Sequence, residues 1–145
     1  LLGLFALWLY TADLIFQATL GPDYPLSVHA FLTDALTTDA GWTMIGVGMG
    51  VGFLFAVLVL TISVVSFPLL LDRKASAMTA IATSCRAVAA NPGPMAVWGL
   101  IVALGLALGS LPLLIGLVVV MPVLGHATWH LYRRMIAWPD MPRAG

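Results

Sequence analysis

Long apolar blocks alternate with short polar gaps along this chain, and the length of each block sets what it can be. A helix needs about 20 apolar residues to cross the hydrocarbon core of a bilayer. Leu1 to Leu20 is one such block, interrupted only by Asp13 and Gln17. Residues 21–40, GPDYPLSVHAFLTDALTTDA, carry Pro22, Pro25, Asp23, Asp34 and Asp39, and read as a loop. Gly41 to Leu71 is a second block. It is longer than a crossing requires, so it tilts or its end leaves the membrane near Pro68.

Between residues 72 and 94 the period changes. Met78, Ile81, Ala82, Cys85, Val88 and Ala89 fall on one helical face, with Lys74, Thr79, Thr83 and Arg86 elsewhere on the wheel. This predicts an amphipathic interfacial helix over 73–90, lying on the membrane surface or against the bundle. Asp72 is positioned to cap its start, and Asn91-Pro92-Gly93-Pro94 stops it. The remainder, Met95 to Trp138, is too long for one straight span, and Gly109-Ser110-Leu111-Pro112 sits near its middle. Two antiparallel spans are expected, 95–109 and 112–134, joined by a tight turn; one long kinked helix is the alternative.

Composition turns these blocks into a class. Of 145 residues, 61% are hydrophobic and 8% charged, against about 25% charged in a soluble domain. So little charge cannot cover a water-facing surface, and the outer solvent is lipid. Six Lys and Arg balance six acids, all of them Asp, which excludes a nucleic-acid interface. The basic residues fall in two places: Arg73, Lys74 and Arg86, then Arg133, Arg134 and Arg143. The positive-inside rule puts both in the cytoplasm, so 73–94 and the C-terminus are expected inside and 21–40 in the periplasm. Two basic regions on one side need an even number of crossings between them, which favours the hairpin. Trp42 then lies at the outer boundary, and Trp98, Trp129, Tyr132 and Trp138 near the inner one. The expected fold is an all-α polytopic transmembrane bundle forming one domain, 1–145, with spans at 1–20, 41–68, 95–109 and 112–134. The opening LLGLFALWLY has no initiator Met and no charged n-region. It is not a signal peptide, and it reads as a segment from within a longer chain.

A few residues carry possible chemistry. His126 and His130 are one turn apart near Arg133 and Arg134, and Gly125 and Ala127 leave clearance around His126. An axial imidazole for a tetrapyrrole, haem or bacteriochlorophyll, suits that setting. The plainer reading is two polar side chains bonding to neighbouring helices or lipid phosphates. Zinc needs at least one more protein ligand, and His29 falls on the opposite side, so no metal site is assigned. Asp13 lies about 10 Å inside the outer boundary at 1.5 Å per residue. It is a ligand or proton-relay candidate with Gln17 one turn away, or a carboxyl close to the surface of a shorter span. Gly46 with Gly50, Gly48 with Gly52, and Gly105 with Gly109 form G-x-x-x-G pairs for close helix packing. Arg133, Arg134, Trp129 and Tyr132 are expected to anchor the helix end among lipid headgroups. Cys85 sits on an apolar face and is expected to be inert. No catalytic constellation is present, so an enzyme is not expected.

Three segments, SFPLLLDR at 66–73, RAVAANPGPMAVWGLI at 86–101 and GHATWHLYRR at 125–134, together resemble a bacterial family of predicted integral membrane proteins, domain of unknown function 2189. The resemblance spans about residues 41–137, with 1–40 similar only in hydropathy. It implies a proteobacterial inner membrane and a longer N-terminal part, and it supplies no activity. The expected function is therefore a non-catalytic accessory subunit of a larger inner-membrane complex, respiratory or photosynthetic. Its partners would be lipids and other transmembrane subunits, and bound lipid its only ligand. Tetrapyrrole binding through His126 or His130 is the alternative, and a transporter component the second.

Overall fold

In a computed structural model of the chain, residues 1–23 and 25–135 are described. They form seven helices and no strand: α1 (Leu2–Thr19), α2 (Val28–Thr37), α3 (Asp39–Ser63), α4 (Ser66–Asp72), α5 (Ala77–Ala90), α6 (Pro92–Ser110) and α7 (Leu117–Met135). The expected all-α class holds. Three stretches are long and apolar enough to cross a membrane: Leu2–Thr19, Asp39–Asp72 and Pro92–Ser110. The fourth expected span, 112–134, corresponds to α7 and is not among them. Its first half is valine-rich, but its second half carries His126, Thr128, His130, Arg133 and Arg134.

The chain divides into two compact units, Leu1–Val59 and Leu60 onward. In the first, α2 occupies the segment expected to be a loop. Ser27 caps it by accepting from the Ala30 N–H. Thr38 then serves two helices at once: its hydroxyl donates to the Asp34 carbonyl at 2.6 Å and accepts from the Gly41 N–H at 2.9 Å. Asp39 follows in the first turn of α3, where an acid suits the positive end of the helix dipole. Gly41 is buried against the backbone carbonyls of Asp34 and Ala35, and a Cβ there would collide with both. The α2–α3 corner depends on that glycine. Phe16 of α1 meets Phe31 of α2 at 6.3 Å between ring centres.

The second unit holds most of the core: Val64, Val65, Leu69, Ala80, Met95 and Tyr132 are buried together. The long apolar stretch breaks at Val64–Val65, three residues before the expected site at Pro68. Pro68 itself sits in the first turn of α4, where its missing N–H has no intrahelical acceptor to satisfy. At the break the buried Val65 N–H loses its helical acceptor, and Ser84 of α5 closes the gap. Its hydroxyl donates to the Thr61 carbonyl at 2.7 Å and accepts from the Val65 N–H at 3.2 Å.

α5 therefore docks on the break instead of lying on the surface alone. Docking against the bundle is one of its two expected placements, but its buried face differs from expectation. Ala80 and Ser84 are fully enclosed, with Ala87 and Val88 beside them, while Met78 is 77% exposed. Small side chains let the backbones approach, and that outranks hydropathy here. The cap also differs. Ser76 accepts from the Thr79 N–H and starts α5, whereas Asp72 ends α4. Asn91 closes α5, and Pro92 opens α6 as its first residue.

α6 and α7 form a hairpin through residues 111–116. Leu113 (φ 50°) and Leu114 (φ 68°) are left-handed in this turn, and Pro112 lies within it, five positions before α7. The helices meet closely because Gly109 is buried against Leu117 and Val120, and Gly105 faces Val120 and Leu124. Gly116 abuts the backbone of Gly109 itself.

Candidate functional site

The last three turns of α7 carry both candidate histidines and all four expected headgroup anchors, and the helical period splits them onto two faces. His126, His130 and Arg134 recur every four residues and stay on one side. There they line an open groove of about 810 Å³ with Trp98 of α6 and Pro122, Val123, Ala127 and Leu131 of α7. Both imidazoles are exposed, and their Nε2 atoms lie 3.2 Å apart with the rings edge to face. A Cβ at Gly125 would meet nothing within 4 Å, so the expected clearance beside His126 is present. A macrocycle needs one Nε2 pointing squarely at its metal. With the two Nε2 atoms turned toward each other, one ring would first have to swing away.

The other face of α7 is a structural joint. Tyr132, expected as a headgroup anchor, is 2% exposed. Its hydroxyl donates to Asp72 Oδ2 at 2.9 Å. The same oxygen accepts from Arg73 Nε at 3.2 Å and lies 3.5 Å from Arg133 Nη1. One carboxylate oxygen at the end of α4 thus gathers a phenol and two guanidinium groups. Asp72 and Arg73 are largely shielded, while Arg133 is half exposed, so the closer pairs carry more of the joint. Trp129 packs against Tyr132 at 5.6 Å and against the core, so it too serves the bundle. Arg133 and Arg134 are exposed at the helix end as expected of anchors. Trp138 and Arg143 lie outside the described residues.

Asp72 had no assigned role beyond a cap, and its partner Tyr132 is 60 positions away in sequence. No local pattern signals such a pair. The one available hint was an aspartate immediately before Arg73 at the end of a long apolar block.

In the first unit, Gln17 Nε2 donates to Asp13 Oδ2 at 2.7 Å, the expected one-turn pair. His29 belongs to α2, far in sequence from the other two histidines. The four α3 glycines do not form one strip. Residues two apart on a helix face nearly opposite ways. Gly48 and Gly52 line a groove of about 460 Å³ with Trp8, Ala12, Phe16 and Phe31, whereas Gly46 and Gly50 are exposed. A Cβ added at any of the four would meet nothing within 4 Å. Among the described residues no three His, Cys, Asp or Glu side chains group as a metal cluster, and Cys85 is half-buried as a free thiol.

A family model described as "Predicted integral membrane protein (DUF2189)" matches residues 1–72. No curated protein and no solved structure gives a significant match. The family is the one expected, but the matched segment is not the expected 41–137. It takes in α1 and α2 as well as α3 and α4, and of the three quoted motifs only SFPLLLD at 66–72 lies inside it. Over residues 1–72, just under half of its length, this chain matches the DUF2189 family of predicted integral membrane proteins.

Proposed function

We propose that this chain is a non-catalytic accessory subunit of a larger membrane complex, receiving a transmembrane helix of another subunit on the Gly46–Gly50 face of α3. The observation that carries this reading is that face itself. Gly46 and Gly50 form a hollow open for a Cβ at both positions, and Trp42, Met49 and Phe53 around it are each at least 60% exposed. In lipid there is no hydrophobic drive between helices, so association depends on close van der Waals approach. A glycine hollow bordered by bulky side chains supplies that. The non-catalytic part rests on the sequence, which holds no nucleophile, base and acid in a defensible arrangement.

The orientation belongs to the same proposal. Arg73 and Arg133 share the Asp72 carboxylate, which supports a single edge for the two basic regions. By the positive-inside rule that edge faces the cytoplasm.

Purification from native membranes in mild detergent tests the reading, with respiratory and photosynthetic assemblies as the first hosts to examine. The chain is expected at fixed stoichiometry with other subunits, and Gly50→Leu is expected to release it. A wild-type chain that always runs free overturns the proposal. Labelling of single cysteines placed at 73 and 133 tests the orientation: both should react from the cytoplasmic side.

A further inference from the structure

We propose that His126 and His130 form a two-imidazole chelate for a divalent ion of the zinc type, held at the mouth of the α6–α7 groove. The geometry is the starting point. Zinc–imidazole bonds are about 2.0–2.1 Å long. Two Nε2 atoms 3.2 Å apart, each at that distance from one ion, subtend about 103° at the metal. That is close to the tetrahedral angle and far from the straight line that a two-coordinate cuprous ion prefers. An ion bonded to both nitrogens therefore fits this separation, each exposed ring turning to bring its Nε2 lone pair onto it.

The surroundings leave room for the rest of the coordination sphere. Both imidazoles are exposed on an open groove, Gly125 adds no bulk, and among the described residues each ring's hydrogen-bonding partner is the other ring. Among the described residues no third ligand approaches. The two remaining positions belong to water or an exchangeable ligand. This is a surface chelate of modest affinity, distinct from the structural or catalytic zinc centre that the missing third protein ligand excludes. Imidazole suits zinc, copper and nickel, and an N–metal–N angle near the tetrahedral value is the one zinc prefers.

One neighbour works against the ion. Arg134 lines the same groove, one turn beyond His130. Its charge lowers affinity for a bare cation, so removing it is a test that a purely structural histidine pair would not pass.

The inference is independent of the docking proposal and has its own experiment. Zinc chloride is titrated by calorimetry into the purified full chain in detergent. One ion per chain is expected. His126→Ala and His130→Ala should each lower affinity at least tenfold, and the double variant should fall no further than loss of specific binding. His29→Ala should leave affinity unchanged, and Arg134→Gln should raise it about two- to threefold. X-ray absorption at the zinc edge should show two imidazoles. Both histidines are exposed, so circular dichroism of each variant should match wild type, separating lost ligation from lost folding. Zinc binding that survives the double His variant overturns the proposal. So does the absence of any one-to-one binding, or a haem spectrum that depends on these histidines in a chain that binds no zinc.

Discussion

The glycines of α3 and those of α6 share one spacing and meet opposite surroundings. Gly105 and Gly109 are filled from within: Val120, Leu124 and Leu117 of α7 press against them, and Gly116 reaches the Gly109 backbone. Gly46 and Gly50 have the same four-residue step, yet nothing lies within 4 Å of where their side chains would begin. Spacing shows that a helix can be approached closely. It does not show whether the visitor comes from the same chain. In α6 the visitor is supplied by a turn of six residues, so loop closure costs little. In α3 no such neighbour follows directly, because the chain turns at Val64–Val65 to build a separate core with α5.

The largest effect should come from breaking the filled pair. A Cβ at Gly116 would stand 2.7 Å from the Gly109 carbonyl oxygen and 2.9 Å from its Cα. Both are backbone atoms and cannot rotate away. Gly116→Ala is expected to destabilise the chain by about 3 kcal/mol, read as an earlier midpoint in detergent–SDS unfolding. A smaller loss is expected for Ser84→Ala. It would strand the buried Val65 N–H and remove the donor to the Thr61 carbonyl, at a cost of about 1–3 kcal/mol. Rescue by Ser84→Thr should be partial, since a methyl must then fit a fully enclosed position.

These two sites also show what the sequence could and could not disclose. The apolar blocks, the α6–α7 break and the Asn91–Pro94 stop follow from period and from glycine and proline chemistry. α2 was legible too: Val28, Phe31, Leu32, Ala35 and Leu36 have helical spacing behind a Ser27 cap. The two prolines and three aspartates of residues 21–40 mask that pattern, although of these only Asp34 lies within the helix. The face of α5 was read by hydropathy, whereas packing selected size, which put Ala80 and Ser84 inside and Met78 outside. The Asp72–Tyr132 pair had no local signal, since it depends on where two helix ends meet. At the candidate site, the four-residue step of His126 and His130 was visible at once. The convergence of their Nε2 atoms was not, because it depends on side-chain rotation.

The turn that supplies the visitor to α6 holds strain of its own. Leu113 and Leu114 sit at positive φ, where a Cβ crowds the following carbonyl at roughly 1–2 kcal/mol per residue. Leu113→Gly removes that crowding but adds freedom to the unfolded chain. The net expectation is a gain of about 0.5 kcal/mol, in the same unfolding assay and opposite in sign to Gly116→Ala. A loss instead would mean that the exposed Leu113 side chain holds the turn through contacts with lipid.

No loss of stability should come from Gly50→Ala. The added methyl meets open space, and alanine favours a helix by up to about 1 kcal/mol over glycine. The unfolding midpoint should therefore stay put or rise slightly. Co-purification with other subunits should nevertheless weaken, because a methyl in the hollow holds an incoming helix away. Stability and association would then separate at one residue, which is what a face reserved for another chain requires. Should Gly50→Ala cost as much stability as Gly116→Ala, the hollow would already be filled from within, and the contrast between α3 and α6 would disappear.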